Sequence, residues 1–119
     1  MSLSTPIYDL TAFQNVYEPR EDTFFLLDVL ESEIAYLKYF NPLFVLEIGS
    51  GSGVVITSLS FIFHNKCVYF ATDINPEACV ATLNTARINK STLEILNTDL
   101  DNGFKGGIFD LLLFNPLMW

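Results

Sequence analysis

Short apolar runs alternate with segments of helical length along this chain, and that alternation constrains the fold more than any other feature. The first run, Leu43–Ile48, is ended directly by glycines at positions 49, 51 and 53. Further runs follow at Cys67–Thr72, Leu93–Asn97 and Phe109–Phe114. Strands that alternate with helices form parallel sheets with right-handed crossovers. The sequence therefore predicts a Rossmann-like α/β fold, with a parallel sheet and flanking helices.

Three helices are predicted around these strands. Apolar residues recur at helical spacing over Glu21–Lys38, and Asn41-Pro42 ends that segment. Val54–His64 fits a helix packed on a sheet. A third helix is expected to run to about Asn89, with Asn75 as its N-cap and Pro76 in its first position.

The 119 residues provide room for one domain with one core, because half of them are hydrophobic and only 17% are charged. We expect a lead-in over residues 1–16 and a partial domain over 17–119. No apolar stretch approaches the ~20 residues that span a bilayer, and the amino terminus lacks a basic region followed by an apolar run. We therefore expect no membrane partner, and a protein of the cytoplasm, with the nucleus as a second compartment.

Charge and cysteine content argue against a nucleic-acid-binding protein and against a metal-binding protein. The net charge of −8 argues against a nucleic-acid backbone as the main partner, since the six basic residues are scattered singly. Cys67 and Cys79 lack metal-ligand spacing. We expect no metal site, and free thiols in a reducing compartment.

The turn after the first strand is the strongest candidate for a ligand site. Alternate glycines let a ligand approach the backbone at the carboxyl edge of a sheet, although a tight turn alone would also explain them. The third glycine comes one residue earlier than in dinucleotide-binding turns. Glu47 would point a negative charge into the pocket, which disfavours a pyrophosphate and favours a ligand with an amine and a sulfonium group.

Polar residues at the ends of the other strands extend this candidate site. Asp73 ends the second strand and could hold ribose hydroxyls, while Asp99 follows the third and could reach an adenine amino group. Each acid alone could be a solvated loop residue, but three at successive strand ends indicate a nucleoside ligand. After the fourth strand, Asn115 and Pro116 are either a common turn or two acceptors that would orient a substrate NH₂.

Three motifs together resemble a known family. Val16–Phe24, Leu46–Val55 and Thr72–Ala78 are similar to the class I S-adenosylmethionine-dependent methyltransferases. More narrowly, they resemble the HemK-type protein-glutamine N5-methyltransferases, in the eukaryotic branch that modifies the class 1 translation release factor. The resemblance runs from about Val16 to Pro116.

The resemblance implies a cofactor, a substrate and a partner. Asn115 and Pro116 would be catalytic and grip the substrate glutamine amide. A small zinc-binding activator subunit would form a heterodimer with the chain at the Leu93–Asn97 edge. The residues implied to contact S-adenosylmethionine are Thr23, Glu47, Gly49, Gly51, Asp73, Asp99, Leu100 and Asn115.

The chain departs from the family pattern after Pro116. The family motif continues with proline and tyrosine, whereas Leu117 and Met118 stand here, followed by Trp119. We therefore expect only the first four strands of the fold, and a truncated, inactive isoform. The alternatives are a non-catalytic module that competes for the activator subunit, and a DNA adenine N6-methyltransferase, which the net charge disfavours.

Overall fold

A computed structural model describes residues 3–99 and 109–114 of the chain. From residue 34 to residue 97, helices alternate with strands as the sequence predicts. A 3₁₀ turn, His64–Lys66, follows the helix that ends at Phe63. The elements are α1 (Glu21–Ser32), α2 (Ile34–Phe40), β1 (Phe44–Ile48), α3 (Val54–Phe63), β2 (Val68–Asp73), α4 (Pro76–Ile88), β3 (Glu94–Asn97) and β4 (Leu111–Phe114).

The four strands form one parallel sheet in the order β3-β2-β1-β4. This confirms the predicted Rossmann-like architecture. The chain starts in the middle of the sheet at β1, crosses outward to β2 and β3, and returns to β4 on the other side of β1. In the described part of the chain, β3 and β4 are therefore the two edges. No helix in that part is both long and apolar enough to cross a membrane.

The first predicted helix is in fact two helices, which corrects the prediction of one helix over Glu21–Lys38. α1 ends at Ser32, and α2 begins at Ile34 after Glu33. The Ser32 hydroxyl donates to the carbonyl of Val29 at 2.7 Å, a bond to the preceding turn that bends helices. The apolar period continues across the break because both helices bury their leucines in the same core, so periodicity alone could not reveal it.

The start of α4 matches the sequence prediction. The Asn75 side chain accepts a hydrogen bond from the backbone N–H of Glu77 at 3.0 Å, and Pro76 occupies the first helical position. The cap satisfies a backbone donor that would otherwise have no partner in the helix. It fixes the point at which the chain leaves β2 and turns into α4.

One face of the sheet is covered by helices, and the other face is partly exposed. Val45, Tyr69 and Leu113 point toward the helices and are buried in a core with side chains of α1, α2 and α3. The alternate positions point the other way, because side chains alternate along a strand. On this partly exposed face Leu46 and Thr72 are buried, whereas five large side chains are 38–57% exposed: Phe44, Val68, Leu96, Leu112 and Phe114.

Candidate functional site

A cavity of about 290 Å³ lies at the carboxyl end of β1. One wall is the glycine-rich turn that follows β1, and the other is the segment that leads into α1. The position agrees with the rule that open α/β sheets bind ligands beyond the carboxyl ends of their strands. The lining residues are Tyr17, Glu18, Pro19, Arg20, Asp22, Thr23, Glu47, Gly49, Gly51, Ser52 and Val55.

The three glycines of the turn serve two different purposes. All have positive φ angles, of 72° for Gly49, 56° for Gly51 and 82° for Gly53. A Cβ on Gly49 or Gly51 would meet no atom within 4 Å, so their backbone faces open space in the cavity. A Cβ on Gly53 would lie 2.8 Å from the Cα of Thr82. The first two glycines thus leave room for a ligand, whereas the third allows α3 to begin against α4.

Two threonines of α4 hold this turn in place. The Thr82 hydroxyl donates to the carbonyl of Gly51 at 3.0 Å and lies 2.8 Å from the hydroxyl of Ser50. The Thr85 hydroxyl donates to the carbonyl of Ser52 at 2.6 Å. The sequence analysis missed both residues. Their spacing of three, which places them on one face of the helix, was the available signal.

Glu47 lies at the floor of the cavity and is only 2% exposed. Burial raises the pKa of Glu47 to about 8. The Ile56 backbone N–H donates to the carboxyl at 3.2 Å and lowers the pKa, whereas the negative charge of Asp73 raises it further. The cavity therefore contains a buried carboxyl with a raised pKa, which a neighbouring positive charge would lower again.

Asp73, at the end of β2, organises the turn from the neighbouring strand. One carboxylate oxygen accepts the N–H of Gly51 at 2.9 Å, and the other accepts the N–H of Asn75 at 2.9 Å. Asp73 is half-buried and does not line the cavity itself. Each of its oxygens retains a second lone pair, so the carboxylate can hold the turn and still accept a ligand hydroxyl.

The remaining predicted residues divide into three groups. Thr23 lines the cavity from α1. Asp99 is exposed beyond the end of β3 and does not line it. Leu100, Asn115 and Pro116 lie outside the described residues. β4 ends at Phe114, which pairs with Ile48 of β1, so the chain leaves the sheet at the edge that carries the glycine-rich turn.

The wall opposite the turn was only partly anticipated. Tyr17, Glu18, Pro19, Arg20 and Asp22 line the cavity, although the sequence analysis assigned only Thr23 of this motif to the site. The motif thus contributes polar side chains to the lining of the cavity. Among the described residues, no group of three or more His, Cys, Asp or Glu side chains could hold a metal ion.

The parallel sheet, the open glycine-rich turn and the acidic strand ends define the class I methyltransferase fold. The crystal structure of the N-terminal domain of human METTL16 in complex with SAH superposes with a TM-score of 0.62 at 15% identity, over 87% of this chain and 44% of that one. Because the sequence identity is low, this structural similarity establishes the fold alone.

The chain belongs to the methyltransferase small domain family, whose sequence model matches residues 21–118. It is 46% identical to mouse Methyltransferase HEMK2 over 97% of this chain and 56% of the relative. It is 39% identical to the eRF1 methyltransferase catalytic subunit mtq2 of Schizosaccharomyces pombe, over 96% of this chain and 56% of that protein. The chain thus spans about half the length of these relatives.

Proposed function

We propose that this chain carries the cofactor-binding half of an S-adenosylmethionine-dependent protein-glutamine N5-methyltransferase that acts on the class 1 translation release factor. The observation that carries the proposal is the cavity lined together by the open backbone of Gly49 and Gly51 and by the buried Glu47. Family membership and the similarity to a yeast eRF1 methyltransferase subunit support it.

The residues of the cavity fit this cofactor. S-adenosylmethionine supplies a methyl group on a positively charged sulfur, and it also carries an ammonium group. Glu47 would ionise beside such a cation, since a nearby positive charge lowers a raised carboxyl pKa. The bare backbone at Gly49 and Gly51 would admit the ligand, and Thr23 would contact it from the opposite wall.

The nucleoside end of the ligand would extend toward the other strand ends. We assign the ribose hydroxyls to Asp73, whose free lone pairs are available after it has bound the turn. Asp99 and Leu100, which follow β3 in the sequence, would receive the adenine. These assignments rest on the family resemblance and on the order of the strands at this edge of the sheet.

Asn115 and Pro116 would hold the substrate. They follow β4 directly, and β4 ends beside the residue that precedes the glycine-rich turn. A side-chain oxygen and a backbone carbonyl that accept both hydrogens of one NH₂ would fix the orientation of its nitrogen. Fixing the reacting nitrogen toward the methyl group lowers the entropic part of the barrier.

Calorimetric titration of the purified chain with S-adenosylmethionine tests the cofactor site. We expect saturable binding that Asp73→Ala abolishes, because this change removes both the ribose acceptor and the bond to Gly51. Asn65→Ala, an exposed change away from the cavity, is the matched control and should bind like the wild type. A folded wild-type chain that gives no binding heat would overturn the proposal.

We also propose that β3 binds the small zinc-binding activator subunit by strand addition. β3 is an edge of the described sheet, and an edge strand presents unpaired backbone groups to a partner. Because the Thr98 N–H points to Asp73 of β2, strand alternation directs the N–H groups of Ile95 and Asn97 outward. Adding the activator should slow hydrogen exchange at these two amides. Unchanged exchange in a complex that forms would place the partner elsewhere.

A second candidate function is a binding module without turnover. The exposed apolar side chains on the second face of the sheet favour it, because contiguous exposed apolar surface is typical of interaction sites. A methylation assay of a release-factor fragment decides between the two. Activator binding without methyl transfer supports the binding module. Methyl transfer by the 119-residue chain excludes the binding module as its only function.

A further inference from the structure

The segment Ile7–Val16, here called the strap, lies along α4 and is held at both ends by side chains of that helix and its caps. At one end Asn89, which follows α4, binds both backbone groups of Ile7. Its side-chain oxygen accepts the Ile7 N–H at 3.0 Å, and its side-chain nitrogen donates to the Ile7 carbonyl at 2.7 Å. One amide side chain therefore pairs with the backbone as a neighbouring strand would.

The other end of the strap has an equivalent anchor at the start of α4. The carboxylate of Glu77 accepts the Asn15 N–H at 2.6 Å. The side-chain nitrogen of Asn75 donates to the Asn15 carbonyl at 3.0 Å. Asn75 also caps α4 through its oxygen, so the helix cap and the anchor are the same side chain.

Between the two anchors the strap packs through apolar side chains. Val16 is buried against Ala78 and Ala81 of α4, and Leu10 and Phe13 pack against the same cluster. The small alanines let the strap approach the helix closely. The strap therefore has its own small core, separate from the main core between the sheet and α1–α3.

The strap connects α4 to the cofactor cavity. The four residues directly after it, Tyr17–Arg20, form the cavity wall opposite the glycine-rich turn. Thr82 and Thr85 of α4 hold that turn. Both walls of the cavity are thus positioned by one helix, through different side chains.

We propose that Asn75, Glu77 and Asn89 are positioning residues, and that docking of the strap on α4 is thermodynamically coupled to cofactor binding. The inference rests on the proposed cofactor site. A docked strap places Tyr17–Arg20 over the turn before the ligand arrives, so less ordering is needed on binding. By linkage, the ligand must then stabilise the docked strap to the same extent.

The test compares Asn89→Ala with Asn65→Ala by calorimetric titration with S-adenosylmethionine. Asn89 does not line the cofactor cavity, and it holds Ile7 at the far end of the strap. We expect Asn89→Ala to weaken cofactor binding about fivefold or more, the usual lower range of such coupling. Asn65→Ala should leave the affinity unchanged.

Hydrogen exchange separates positioning from a merely structural role. Saturating cofactor should slow exchange at the Ile7 and Asn15 amides of the wild-type chain, although neither residue lines the cavity. Glu77→Ala should weaken binding, while Glu77→Gln should restore it, since the amide oxygen can still accept the Asn15 N–H. If Asn89→Ala does not fold, the comparison of Glu77→Ala with Glu77→Gln provides the test.

The outcomes distinguish this inference from the proposed function. Absence of cofactor binding to the folded wild-type chain overturns both. Normal wild-type binding with unchanged affinity in Asn89→Ala and Glu77→Ala, and unchanged exchange of the strap amides, overturns the coupling alone. Weaker binding in both variants, with ligand protection of the strap, supports it.

Discussion

The two faces of the sheet differ in what covers them, and the neighbouring residues Leu112 and Leu113 show the difference most directly. Leu113 points to the helices and is 7% exposed, whereas Leu112 points to the other face and is 57% exposed. The covered face also carries Glu47 and leads to the ligand cavity. The comparison shows that one face contributes both the packed core and the candidate site.

The largest expected effect comes from truncating these two leucines separately. Leu113→Ala should lower the free energy of unfolding by about 2–4 kcal/mol, because it leaves a cavity in a packed core. Leu112→Ala should change it by about 0.5 kcal/mol or less, as for exposed positions. Urea unfolding followed by circular dichroism measures both. Equal costs would mean that Leu112 is packed as tightly as Leu113, contrary to the structure.

The glycines of the turn provide a second comparison on the covered face. Gly53→Ala should lower the free energy of unfolding by about 2 kcal/mol, since its Cβ would meet the backbone of Thr82 at a positive φ. Gly49→Ala is strained by its φ of 72° but meets no atom, so about 1 kcal/mol is expected. Its larger consequence should be weaker cofactor binding. A Gly49→Ala chain with wild-type affinity would argue that the ligand does not approach this backbone.

A smaller effect is expected where α4 supports the turn. Thr85→Ala should lower the free energy of unfolding by about 1 kcal/mol, because the buried carbonyl of Ser52 loses its donor. Thr85→Ser keeps the hydroxyl and should recover most of the loss. Thermal unfolding of the two variants measures the difference. A serine variant as unstable as the alanine variant would show that the methyl group, not the hydrogen bond, matters.

The sequence predicted the parts of the molecule that depend on local chemistry. Apolar strand runs such as Leu43–Ile48, and the helix start formed by the Asn75 cap and Pro76, lie where the sequence predicts them. The break between α1 and α2 was missed because a serine bond to the preceding turn leaves the apolar period intact.

The strap and the threonines of α4 could not be predicted in the same way. Ile7 and Asn89 are 82 positions apart, and the strap is held largely through its backbone groups, which leave no pattern in the sequence. The role of Thr82 depends on Gly53 bringing α3 against α4. Such contacts arise only once the sheet has brought distant segments together.

The pH dependence of stability follows from Glu47. Its pKa rises from 4.5 to about 8 on folding, so between these values the folded chain keeps a proton that the unfolded chain has lost. Stability attributable to this group therefore falls as pH rises from about 4.5 to about 8. Glu47→Gln should remove this part of the slope, as urea unfolding at several pH values would show. An unchanged slope would mean that Glu47 is already ionised in the folded chain.

Proton release on binding tests most directly whether the cavity at the end of the covered face takes a cationic cofactor. Titration with S-adenosylmethionine near pH 7, in buffers of different ionisation enthalpy, measures the protons released. We predict release of close to one proton, because the ligand's positive charges should ionise Glu47, and none from a Glu47→Gln chain that still binds. Binding by the wild-type chain without proton release would contradict this account of the site.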